Sequence, residues 1–146
     1  MNSMMSILPG LLLLCHLNLY GQQLTVIIQA ENVKDHNGKL IVAVFPSQTD
    51  FENEKTCYER IFEKTTVKNG KITLRIELPP GIYGITLLDD EDGDKKMKYN
   101  VLGIPREGFG IVNLETTGFR KPKFSDFSFN LCKNQDRRKV KMRYIF

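Results

Sequence analysis

A chain of 146 residues is long enough for one domain and too short for two of ordinary size. Its net charge of +4 makes it mildly basic, which suits anionic neighbours and specifies no partner. Three cysteines and two histidines exclude a disulfide-dense scaffold and leave no ligand set for structural zinc.

Residues 1–21 carry no Lys, Arg, Asp or Glu, and their apolar run at 11–14 is far shorter than the roughly 20 residues of a membrane span. This segment reads as a secretory signal cleaved near Gly21 to Gln23. It leaves a single domain, residues 22–146, exported to the periplasm or secreted, with no transmembrane segment in the mature protein. A buried N-terminal strand or helix and acylation at Cys15 are the alternatives. Export permits a disulfide between Cys57 and Cys132, the two cysteines left after cleavage, and two thiols on different strands are the competing reading.

Along the rest of the chain, alternation dominates over helical spacing. Leu24, Val26, Ile28 and Ala30 alternate with Thr25, Ile27 and Gln29 as a first strand. A turn at Asp35-His36-Asn37-Gly38 precedes residues 40–45, a continuous apolar run that predicts a strand buried on both faces. Pro46 stops it. Residues 47–54 predict one helical turn, capped by Ser47 or Thr49. Residues 58–67 return to strand chemistry, and Asn69-Gly70 is the strongest hairpin signal. Ile72, Leu74, Ile76 and Leu78 then alternate with polar residues, Pro79-Pro80-Gly81 turns the chain, and 82–88 is another strand.

Residues 89–117 break the pattern: a long, charged, Gly-rich stretch with little periodicity, of the kind that often carries function. Phe124, Phe127, Phe129 and Leu131 predict a strand after a turn. Val140, Met142, Tyr144 and Phe146 predict a last one with a basic outward face. About seven short strands and hardly any helix predict an all-β, antiparallel sandwich.

The acidic run Asp90-Glu91-Asp92-Gly93-Asp94 and the segment Gly103-Ile104-Pro105-Arg106-Glu107-Gly108-Phe109-Gly110 resemble the signature of domain-of-unknown-function family 2141, small exported bacterial proteins. Gly38-Lys39, the Leu-Pro-Pro-Gly turn ending at Gly81, Gly118-Phe119 and Phe124-Ser125-Asp126 fall in the family's order. The resemblance covers nearly all of residues 22–146 and implies a transthyretin-like or immunoglobulin-like sandwich. It implies no activity.

Asp90, Asp92 and Asp94 stand at alternate positions around Gly93, an arrangement that converges oxygens on a hard cation. The family loop has Gly and an acid where this chain has Lys95 and Lys98, and Val101 stands where a calcium loop has its bidentate Glu. The expectation is therefore either a solvated acidic turn or weak, structural calcium, with no other cofactor. In the following segment Asn100, Arg106 and Glu107 are the binding candidates, Arg106 as a bidentate donor to a carboxylate or phosphate. Packing by Ile104 and Phe109, with Arg106 and Glu107 solvated, is the alternative.

Catalysis is not expected. His36 is the one histidine after the signal, it sits in a turn, and no serine lies in a nucleophile motif. Arg120, Lys121, Lys123 and the run Arg137-Arg138-Lys139 are basic with aromatics nearby. Export and the alternation of those aromatics with polar residues make them core residues first, which argues against nucleic-acid binding. The expected role is a non-catalytic binding or accessory module of the cell envelope, with a protein or glycan as partner. The alternative is a calcium-ordered structural module built on the acidic loop.

Overall fold

The computed structural model describes residues 21–34, 38–115 and 121–145. Residues 1–20, where the sequence predicts a signal and which include Cys15, lie outside the described residues, as do His36, Gly118-Phe119 and Phe146. No described helix is long and apolar enough to cross a membrane.

Two sheets face each other. One has three strands: β1 (Leu24–Glu31) lies between β4 (Ile72–Leu78) and β8 (Asp136–Lys141). The other has five: β3 (Tyr58–Glu63), β2 (Lys39–Phe45), β5 (Gly81–Asp90) and β6 (Gly108–Ile111) in that order, with β7 (Phe129–Leu131) paired to the start of β5. The expected all-β sandwich is what forms.

The alternation explains the core. Ile72, Leu74, Ile76 and Leu78 of β4 all point inward, while Thr73, Arg75 and Glu77 are exposed. They pack with Val26 and Ile28 of β1, Leu40, Val42 and Val44 of β2, and Ile85 and Leu87 of β5. Burial of this area is the main driving force for closing the two sheets. The opposite face of β2 is also covered, as its unbroken apolar run predicts. Phe45 meets Phe51 of α1 (Gln48–Glu52) edge-on at 5.4 Å, and Phe51 meets Phe127 at 5.0 Å. Ser47 caps α1, its Oγ accepting from the Asp50 amide at 3.1 Å.

Four expectations need correction. The sandwich is not antiparallel throughout: β8 runs parallel to β1, with Val26 opposite Asp136 and Ala30 opposite Val140. The chain enters β8 from the other sheet, so no hairpin sets its direction. The turn at Asn69-Gly70 forms, with Lys68 and Lys71 exchanging both backbone hydrogen bonds. It joins no ordinary hairpin, because β3 pairs with β2 while β4 pairs with β1. Residues 124–126 are a 3-10 turn rather than the beginning of a strand. Finally, β6 lies inside the stretch read as an irregular loop.

Candidate functional site

The end of β5 delivers two buried carboxylates, Asp89 and Asp90, to the same corner. Asp90 pairs with Lys39 in the β2–β5 ladder. Gly38 precedes it so closely that a Cβ there would lie 2.5 Å from the Asp90 carbonyl oxygen, and its φ of +97 also requires glycine.

Beyond β5 the aspartates fold their own turn. Asp90 accepts from the amides of Gly93 at 2.9 Å and Lys95 at 3.1 Å. Asp92 accepts from the Asp94 amide, and Asp94 from the Lys96 amide. These are side chain–backbone turns of the kind Asp favours. Lys95 takes a positive φ of 62 to complete them. Lys98 then folds back, its ammonium paired with Asp92 and lying 3.1 Å from Asp94 Oδ2. That pairing holds the Asp92 carboxyl below its usual range and keeps Lys98 protonated.

The fourth acid comes from the other side of the loop. Pairing of β6 with β5 sets Gly108 opposite Asp89, so the next residue along, Glu107, arrives beside Asp90. One carboxylate oxygen from each of Asp90, Asp92, Asp94 and Glu107 lies within 4.8 Å of all the others. Glu107 is 5% exposed, and both its carboxylate oxygens are buried without a hydrogen bond. The amides of Lys98 and Glu91 face this carboxylate and favour its charge, but neither reaches hydrogen-bonding geometry. Burial first, then the nearby charges of Asp92 and Asp90, push its pKa above the usual carboxylate value.

Above the cluster the loop forms a tip. Tyr99 pairs with Pro105, the Asn100 amide donates to the Ile104 carbonyl at 2.9 Å, and Asn100 Oδ1 accepts from the amides of Leu102 and Ile104. Val101 and Leu102 project from this frame with 102% and 80% exposure.

A family model described as an uncharacterised protein conserved in bacteria (DUF2141) matches residues 28–139, from within β1 to within β8. The chain belongs to this DUF2141 family. Neither a curated protein nor a solved structure matches it.

In this DUF2141 domain the three aspartates singled out by their spacing do converge. Glu107 is not solvated: it is buried and joins their cluster. Asn100 spends its side-chain oxygen on the tip turn. Arg106 is exposed, and its amide donates to the Lys98 carbonyl at 2.8 Å, so it stands at the foot of the tip. Cys57 and Cys132 are both free and exposed thiols in this structure.

Sequence reasoning missed a neighbouring network entirely. Lys64 Nζ reaches both oxygens of Asp89 at 2.7 and 2.9 Å, and Tyr144 donates to Asp89 Oδ2 at 2.6 Å. These partners lie far apart in the chain, and no local spacing announces them.

Proposed function

We propose that this protein is an exported, non-catalytic binding module of the bacterial cell envelope, and that its contact element is the apolar tip of the loop between β5 and β6. The observation that carries the reading is the full exposure of Val101 and Leu102 on a turn held by backbone and Asn100 hydrogen bonds. Single exposed apolar residues are ordinary. Two adjacent ones at the summit of a hydrogen-bonded turn, with exposed Lys95, Lys96 and Arg106 on the same loop, suit an anionic lipid surface. The apolar side chains enter the interface and the cations stay among the headgroups.

Sedimentation of the protein with phosphatidylglycerol–phosphatidylcholine vesicles tests this. Binding is expected to weaken with salt and to disappear in the V101D/L102D double variant. Absence of binding to anionic vesicles in low salt, with and without calcium, overturns the lipid reading.

The four converging carboxylates favour a second reading alongside the first: a structural module whose loop is ordered by calcium.

A further inference from the structure

We infer that Asp90, Asp92, Asp94 and Glu107 form a calcium site, two of whose ligands, Asp92 and Asp94, are held by the Lys98 ammonium until the ion displaces it. The inference rests on the calcium-ordered reading and specifies its ligands and its competitor.

Glu107 is the decisive residue. Acidic clusters on exposed turns are common and prove nothing, since water and backbone amides satisfy them. Glu107 is not satisfied in this way: both oxygens are buried and accept no hydrogen bond, the nearby Lys98 and Glu91 amides falling short of one. One of its oxygens lies within 4.8 Å of oxygens of the three aspartates. A buried carboxylate without a partner is costly unless a cation stands beside it. Lys98 does not fill that role, because its ammonium pairs with Asp92 and Asp94 on the exposed side. Four carboxylates against one ammonium leave the cluster strongly negative.

The donor set favours calcium. Calcium binds oxygen at about 2.3–2.6 Å, so two ligands on opposite sides of one ion stand up to about 5 Å apart. Magnesium, at about 2.0–2.1 Å, permits only about 4 Å. Oxygens that all lie within 4.8 Å of one another are close enough to share one calcium ion, and magnesium, which demands tighter geometry and dehydrates reluctantly, is the poorer fit. An all-carboxylate set with no Cys or His among the ligands also disfavours zinc and copper.

Ion entry exchanges one cation for another. Asp92 and Asp94 release the Lys98 ammonium to solvent and turn the same oxygens to calcium, while Glu107 gains its first partner. The ion then ties the loop to the foot of β6. Lys98 acts as a tethered competitor that lowers calcium affinity.

The test is calcium titration of the protein by calorimetry and thermal unfolding, starting in chelator, for wild type, K98M and E107Q. Asp90 is left intact because its carboxylate folds the turn. Wild type should show a saturable rise in melting temperature, as any ligand that prefers the native state produces. Magnesium should give a smaller rise. K98M should bind calcium at least tenfold more tightly, and E107Q at least tenfold more weakly, with cooperative unfolding in chelator showing that each variant is folded. No calcium response in either wild type or K98M overturns the site and the calcium-ordered reading together. A wild-type response that K98M and E107Q leave unchanged preserves an ordered loop and overturns this ligand set and the exchange.

Discussion

The Tyr144 phenol donates a hydrogen bond of 2.6 Å to Asp89 Oδ2, fastening the C-terminal segment to the end of β5. Lys64 completes a buried ion pair with the same carboxylate, at 3% and 0% side-chain exposure. The residue after Asp89 is the first acid of the four-carboxylate cluster, so this network fixes the floor on which the loop stands. Replacing Asp89 by Asn removes the carboxylate that the buried Lys64 ammonium faces and should cost about 3–5 kcal/mol. Tyr144→Phe removes this hydrogen bond to a charged group together with the one the hydroxyl accepts from the Lys34 amide at 3.0 Å, and should cost about 1.5–3 kcal/mol. Urea unfolding of both variants checks the order.

Alkaline titration should report the same contact. Burial, and then the hydrogen bond to Asp89, raise the Tyr144 pKa well above its ordinary 10.0. The folded state thus keeps a proton that the unfolded chain releases. The stability linked to this retained proton is fully present below pH 10 and falls as pH rises beyond it toward the folded value. Wild type should therefore lose more stability between pH 9.5 and 11 than Tyr144→Phe, as read by urea midpoints across that range.

Two glycines of β6 serve close packing. A Cβ on Gly108 would lie 2.2 Å from the Tyr144 ring, and one on Gly110 would lie 2.6 Å from Val140. Neither has a positive φ, so the need is for space rather than for unusual backbone geometry. Gly108→Ala should destabilise by about 1–3 kcal/mol, the usual range for overpacking. Combining it with Tyr144→Ala should relieve part of that penalty in a double-mutant cycle.

Lys95 presents the opposite case. Its φ of 62 lies in the left-handed region, and its side chain is exposed. Lys95→Gly should stabilise the protein by up to about 1 kcal/mol, the left-handed penalty for a residue with a Cβ less the greater chain entropy of glycine. Thermal unfolding measures it directly.

The parts of the fold that could be read from sequence are those where one-sided burial imposes a period of two. β1 and β4 announce themselves through Leu24 to Ala30 and Ile72 to Leu78, and β2 through its unbroken apolar run. β6 could not be read, because two of its packed positions, Gly108 and Gly110, carry no side chain that would mark a period of two. Its identity comes from Tyr144, Val140 and Met142 lying against it. The same asymmetry governs the site. Asp90, Asp92 and Asp94 share a local spacing that chemistry recognises. Glu107 joins them through antiparallel pairing of β6 with β5, a relation between distant segments that a calcium-loop spacing rule does not contain.

Glu107 should carry a measurable conflict between stability and function. Without calcium its buried carboxylate has no hydrogen bond and faces the charges of Asp92 and Asp90. Replacing it by Gln keeps the shape and removes the charge, which is the costlier part of its burial. In chelator at neutral pH, Glu107→Gln should therefore melt above wild type. In saturating calcium the order should reverse, since wild type gains binding energy that the variant has lost. A residue held only by packing would keep the same rank in both conditions. Reversal of rank between chelator and calcium is thus the signature of a charge retained for an ion.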